Sequence, residues 1–188
     1  MKTQTLLLRT IMTRIFLLGY MGCGKTTLGK PLAEALKLGF VDLDHYIEGR
    51  MCQTVGRLFA ERGESAFREL ERRLLREVVE FENVVIATGG GTPCFFDNME
   101  LMNERGTTVF LDACPQTLFN RLSVSRHKRP LLQNKNDEEL RATILEGLER
   151  RMPFYSRAHH RFESDLLESR RQIAGSVTRL VEQLGLSV

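Results

Sequence analysis

The segment Gly19-Tyr20-Met21-Gly22-Cys23-Gly24-Lys25-Thr26-Thr27 matches G-x-x-x-x-G-K-[ST] at every fixed position. It constrains the fold strongly, because the motif works only as the turn between a buried strand and a helix. Both flanks fit. Ile15-Phe16-Leu17-Leu18 is a short apolar run of the kind a buried parallel strand makes. Leu28, Leu32 and Leu36 then recur every four residues, one face of a helix. Gly22 and Gly24 let the chain curl so that backbone N–H groups, that of Cys23 among them, point inward at a polyphosphate. The helix N-terminus adds partial positive charge. Lys25 is placed to reach the terminal phosphates of a nucleoside triphosphate, with Thr26 giving its hydroxyl to Mg²⁺ and Thr27 next to it.

Composition narrows the field by exclusion. A chain of 188 residues suits one sizeable core, so a single domain is expected over 13–188, after a poorly ordered extension at 1–12. The net charge of +3 is too small to point to a nucleic acid. The arginines are interleaved with glutamates, as in Glu69-Leu70-Glu71-Arg72-Arg73, the pattern of a solvated helix face. No apolar stretch approaches the length of a membrane span. Cys23, Cys52, Cys94 and Cys114 contain no C-x-x-C pair, which argues against zinc and a disulfide frame and for a reducing, cytoplasmic setting. Cys23 lies beside a helix N-terminus and is expected to be an oxidation-prone thiol of lowered pKa that nucleotide protects.

Along the chain, Phe40-Val41-Asp42-Leu43-Asp44 reads as a second strand ending in two acids. Thr54 is a plausible N-cap for a helical stretch that breaks at Gly63, and Phe67, Leu70, Leu74 and Val78 mark a longer amphipathic helix. Val84-Val85-Ile86-Ala87 is a third strand running into Gly89-Gly90-Gly91. A helix from Asp97 to Arg105, a strand from Thr107 to Leu111 and a helix from Pro115 to Leu122 follow. Residues 123–136 are polar and basic without a period, a mobile loop long enough to be a lid. Asp137 is expected to cap a helix with stripe Leu140, Ile144 and Leu148, interrupted by Pro153. A weak strand near Phe162 and a helix carrying Ile173, Val177, Leu180 and Val181 close the chain. Strands alternating with helices predict a three-layer α/β/α domain of the P-loop NTPase type, with a five-stranded parallel sheet and a mobile lid.

In such a sheet ligands sit at the carboxyl ends of the strands. The phosphate loop, Asp42, Asp44 and the Gly89–Gly91 turn all lie there. Asp42 and Asp44 are two apart, so on a continuing strand they share a face. One reading gives Asp42 to Mg²⁺ through water and Asp44 to an acceptor hydroxyl; the other makes Asp44 a helix N-cap. Three consecutive glycines after a strand favour close contact of the backbone with a ligand over a plain turn. Arg68 and Arg151, each near a helix end, read individually as surface arginines.

Six motifs occur together and in one order: the phosphate loop, Asp42-Leu43-Asp44, Phe67-Arg68-Glu69-Leu70-Glu71, Gly89-Gly90-Gly91, Arg129-Pro130-Leu131-Leu132 and Arg151-Met152-Pro153-Phe154-Tyr155. In this the chain closely resembles the shikimate kinases, over roughly residues 14–185. The resemblance implies ATP-dependent phosphorylation of the 3-hydroxyl of shikimate, on the way to chorismate and the aromatic amino acids, by a monomer with Mg²⁺ as cofactor. It places Gly22, Cys23, Gly24, Lys25, Thr26, Thr27 and Arg129 on ATP, with Thr26 and Asp42 near the metal. It further places Asp44 on the shikimate hydroxyls, Arg68 and Arg151 on the carboxylate, Gly90 against the ring, and Asp44, Lys25 and Arg129 in catalysis. The sequence departs from the family where adenine is held: the lid entry is one residue longer, leaving Arg121 or Arg126 to stack on the base. A flanking proline is also missing, leaving Arg170 or Arg171 as substitutes. A gluconate-type or nucleoside-monophosphate kinase explains the phosphate loop and lid but not the other motifs together. A non-catalytic nucleotide-binding module usually carries a strand ending in a metal-binding Asp, where here Val84–Ala87 runs into Thr88 and glycines.

Overall fold

The computed structural model describes residues 13–125 and 135–187. Five stretches of four to six residues form parallel strands: β1 Arg14–Leu18, β2 Gly39–Asp42, β3 Val84–Ala87, β4 Thr107–Asp112 and β5 His160–Glu163. Their order is β2-β3-β1-β4-β5. Exposure follows that order. The central strands β1, β3 and β4 are buried along nearly their whole length, whereas β2 and β5 at the edges keep exposed residues. A strand buried on both faces needs continuous hydrophobicity, which is why the central three read so clearly. The chain leaves β1 towards β2 on one side and comes back to β4 on the other. The order therefore reverses at β1, and a crevice opens at its carboxyl end.

Helix α1, Lys25–Ala35, starts directly from the phosphate loop and buries Leu28 and Leu32. Its neighbours are α7, Arg170–Gln183, and β3. Helix α2, Leu43–Met51, corresponds to the alternative in which an acid caps a helix at this point; with only Leu43 and Ile47 buried it shows no apolar stripe. Strand β2 accordingly ends at Asp42 rather than at Asp44. Helix α3, Val55–Val78, begins at the Thr54 cap and bends at Gly63, whose φ of 75° and ψ of 170° lie outside any helix. Helix α4, Asn98–Arg105, stops at Gly106, and α5, Pro115–Ser125, packs on α6, Asp137–Tyr155.

Other boundaries differ from expectation as well. Helix α5 continues through Ser123 to Ser125, so the polar segment after it starts later; residues 126–134, with Arg126 and Arg129, lie outside the described residues, as does the extension at 1–12. Asn136, not Asp137, caps α6, in a reciprocal box with Glu139. Pro153 does not interrupt α6, which runs on to Tyr155. It sits in the last turn, where the missing N–H forfeits a single bond, and the fully buried Tyr155 holds the turn in the core. One hydrophobic cluster links the strands with α1, α2, α3, α4, α5, α6 and α7.

Candidate active site

The phosphate loop leaves the centre of the sheet and borders a cavity of about 420 Å³. Met21, Gly22, Gly24, Lys25, Thr26 and Thr27 line it together with Asp42, Asp44, Thr88 and Gly90. Gly24 has φ of 100°, a conformation that L side chains rarely adopt, and a Cβ there would run into Leu167. Lys25 is folded over the loop, its Nζ donating to the carbonyls of Gly19 (2.8 Å) and Tyr20 (3.1 Å). The ammonium is thus held at the mouth of the loop, where anionic oxygens would exchange with those carbonyls.

Thr26 donates its hydroxyl to Asp42 Oδ2 at 2.7 Å. The pair presents two hard oxygens beside the phosphate loop. Magnesium prefers such donors, few from protein and the rest from phosphate and water, so this pair fits it. Asp42 also accepts from the backbone N–H of His45, and is thereby the N-cap of α2. The capping role weighed for Asp44 therefore belongs to Asp42. Asp44 lies in the first turn of the helix, not on the strand, and the two acids are brought to one cavity by the strand-to-helix turn. Burial pushes the Asp44 carboxyl up to about 6, aided by the charges of Asp42, Glu71 and Glu48 and opposed by Lys25.

The three glycines after β3 each face a different functional side chain. A Cβ on Gly89 would lie 3.0 Å from Asp44 Oδ1, one on Gly90 3.2 Å from Arg151 Nη1, and one on Gly91 2.6 Å from Arg68 Nη2. A side chain at any of these positions would have to push Asp44, Arg151 or Arg68 aside. The turn therefore acts as a wall along which a carboxylate and two guanidinium groups are ranged in order. Arg68 is only 11% exposed, contrary to the surface reading. Its Nη1 donates to the buried Glu71 at 2.8 Å, and the Phe95 ring lies 4.2 Å from its Cζ. Glu71 accepts in turn from Thr92 at 2.6 Å, which ties the arginine to the glycine turn. Arg151 is flanked by Tyr20, 5.0 Å from its Cζ to the ring centroid, and by Tyr155. Burial alone would lower its pKa, but the phenol oxygens of Tyr155 and Tyr20 and the Cys94 thiol keep it raised. Tyr155 donates to the Gly90 carbonyl at 2.6 Å.

At the other end of the cavity, Arg121 donates to the carbonyls of Gly22, Ser164 and Asp165 and to Glu168. Arg121, Leu167 and Glu168 line the cavity, whereas Arg170 and Arg171 are exposed at the start of α7 and do not. Cys23 is 1% exposed, so the protein itself already shields it and the expected nucleotide-dependent protection loses its basis. Glu71, Thr92, Tyr155 and Glu168 were missed as site residues. Only Glu71 and Tyr155 had a signal, being the last residues of F-R-x-x-E and R-x-P-x-Y.

The family model for shikimate kinase matches residues 21–182. The chain is 61% identical over 173 residues to a shikimate kinase of Phocaeicola vulgatus, covering 92% of this chain and 99% of that one. The crystal structure of the shikimate kinase from Bacteroides thetaiotaomicron superposes with a TM-score of 0.88 at 58% identity, over 93% of this chain and 99% of the other. That of the Acinetobacter baumannii enzyme, solved in complex with shikimate, gives 0.81 at 32% identity over 93% and 94%. With a nucleotide loop, a carboxylate and two arginines arranged on one wall, and relatives this similar over nearly its full length, the chain belongs to the shikimate kinase family.

Proposed function

We propose that this chain transfers the γ-phosphoryl group of ATP to the 3-hydroxyl of shikimate, giving shikimate 3-phosphate and ADP. The observation that carries the reading is the ordering of Asp44, Arg151 and Arg68 along Gly89, Gly90 and Gly91, next to the phosphate loop. The two guanidinium groups hold the acceptor carboxylate by directional paired hydrogen bonds, and Gly90 lets the ring lie close. Asp44 orients the acceptor hydroxyl and takes its proton. A carboxylate with a pKa of about 6 is mostly ionised at neutral pH and remains basic enough to receive it. Lys25 leaves the loop carbonyls for the phosphates, and the loop N–H groups of Gly22 to Thr27 fix them in line with the acceptor. Thr26 and Asp42 hold Mg²⁺, which when bound neutralises charge on the phosphates. Arg121 and Leu167 border the adenine end, and Arg129, outside the described residues, is assigned to the phosphates by its motif alone. The unit is a single domain from residue 13 onward, working as a monomer in the cytoplasm. Free thiols at all four cysteines support the cytoplasmic setting. Among the described residues no helix is long and apolar enough to cross a membrane.

ADP release measured with ATP·Mg and shikimate, quinate, gluconate or nucleoside monophosphates in turn tests this. Turnover with shikimate well above the ATPase background is expected. Equal or greater turnover with gluconate or a nucleoside monophosphate would overturn it.

A further inference from the structure

Tyr20 occupies a variable position of the phosphate loop, yet its side chain is 3% exposed and reaches out of the loop altogether. Its hydroxyl donates to the carbonyl of Thr143 in α6 at 3.2 Å. Its ring fills a hollow that exists only because residue 147 is glycine: a Cβ there would stand 2.6 Å from the Tyr20 Oη and 2.7 Å from Cε2. One turn further along α6, the Arg151 guanidinium lies over the same ring at 5.0 Å. Meanwhile the Tyr20 carbonyl accepts from Lys25 and from the N–H of Cys23. A single residue thus touches the ammonium of the nucleotide site through its main chain and the arginine of the acceptor site through its ring.

We propose that Tyr20 is a positioning residue for the acceptor, its ring fixing the Arg151 guanidinium against Gly90 so that the arginine meets a carboxylate already oriented. Resting on the assignment of Arg151 to the shikimate carboxylate, this explains how a long, flexible side chain is held in one place. Tyr155 and the Gly90 wall bound the guanidinium on two sides, and the face of Tyr20 closes a third while attracting the cation. The hydroxyl bond to Thr143 is secondary; it sets the angle of the ring. The π-face is what the arginine feels.

Steady-state kinetics of Tyr20→Leu, Tyr20→Phe, Gly147→Ala and Arg151→Ala, with shikimate and ATP varied separately, test the assignment. Tyr20→Leu is expected to raise KM for shikimate by about ten-fold, with kcat and KM for ATP moving by less than about three-fold, the scale of one partly desolvated cation–π contact. Tyr20→Phe, which keeps the ring, is expected to raise it by no more than about two-fold. Gly147→Ala, which pushes the ring from its hollow while leaving Tyr20 and Arg151 themselves unaltered, is expected to act in the same direction as Tyr20→Leu and to add nothing to it in the double variant. An unchanged KM for shikimate in Tyr20→Leu, or an equal rise in KM for ATP, overturns the role of Tyr20. Should Tyr20→Leu fail to fold, Gly147→Ala alone decides by the same split. If Arg151→Ala itself leaves KM for shikimate unchanged, the parent assignment of Arg151 fails instead, and the two failures are told apart.

Discussion

Burial and the neighbouring carboxylates of Asp42, Glu71 and Glu48 raise the Asp44 carboxyl from an ordinary 3.8 to about 6, and that single shift has opposite consequences for turnover and for stability. With Asp44 as the proposed base, turnover needs the ionised form, so kcat/KM for shikimate, which reports the free enzyme, is expected to rise as pH passes upward through about 6 and then level. Stability has the reverse sign. A folded-state pKa above the unfolded one gives a contribution fully present below about pH 4 and lost as pH rises through about 6. Asp44→Asn removes the loss along with the proposed base. The variant is expected to turn over about 10²–10⁴-fold more slowly, yet to melt higher than the wild type at pH 8, with the gap closing towards pH 4 in a calorimetric series. A variant that melts lower at every pH would mean that the carboxylate is stabilising and its burial well compensated. At Arg68 the stability cost is different in kind, because the guanidinium neutralises Glu71, whose side chain is 1% exposed. Arg68→Ala would strand that charge, whereas Arg68→Lys keeps the neutralisation and loses the paired geometry. Arg68→Lys is therefore expected to fold and to raise KM for shikimate by roughly 10–100-fold, the worth of about 1.5–3 kcal/mol for a charged hydrogen bond, with KM for ATP nearly unchanged.

Among the elements, α3 shows how backbone conformation carries function at a distance. Gly63 adopts φ 75° and ψ 170°, and a Cβ added there would meet nothing within 4 Å. The requirement for glycine is thus one of torsion alone. The bend it allows aims the second half of α3, with Phe67, Arg68 and Glu71, at the glycine turn. Gly63→Ala is expected to destabilise by about 1–3 kcal/mol, read as a lowered denaturant midpoint with unchanged slope, and to raise KM for shikimate because the bend relaxes. A midpoint shift with no change in KM would show that the bend serves only to pack the helix. This break was legible in the sequence, since a glycine between two apolar periods has few other uses, and so were the central strands, whose buried faces demand unbroken hydrophobicity. Helix α2 was legible only as the alternative to a longer strand, because with just Leu43 and Ile47 buried it offers no stripe, and Asp42-Leu43-Asp44 also fits the end of a strand. Pro153 misled for the opposite reason: a strong local signal was overridden by the packing of Tyr155. In the site, the charged residues could be named from the motifs. Their partners Thr92 and Glu168 could not, since a threonine or an exposed-looking glutamate acquires meaning only from what the fold sets beside it. Arg170 and Arg171 lie near the right stretch, but it is Leu167 and Glu168, three residues earlier and ahead of α7, that the chain directs into the cavity.

At the scale of the whole molecule, the proposed function gives one cavity two ligands, the nucleotide at the phosphate loop after β1 and the acceptor along the glycine turn after the adjacent β3, with Asp42 and Asp44 supplied from the turn after β2. Because both ligands bind only the folded state, each stabilises it by mass action, and the increments report separately on each half of the site. Saturating ADP at about 100 times its Kd is expected to add about 2.7 kcal/mol, with a further increment when Mg²⁺ is supplied and removed again by a chelator. Asp42→Asn isolates the metal's share. Asparagine caps helices as well as aspartate does, so the N–H of His45 keeps its acceptor and α2 keeps its start. What the substitution takes away is the negative charge opposite Thr26. The variant is therefore expected to melt close to the wild type without ligand and to keep the shift produced by ADP alone. The extra shift from Mg²⁺ should shrink or vanish, and the Mg²⁺ concentration needed for half-maximal turnover should rise by about ten-fold or more, as for loss of a group that orders a metal's ligand shell. Retention of the full Mg²⁺ increment in thermal denaturation would assign the metal to the phosphates and Thr26 alone, leaving Asp42 as the cap of α2.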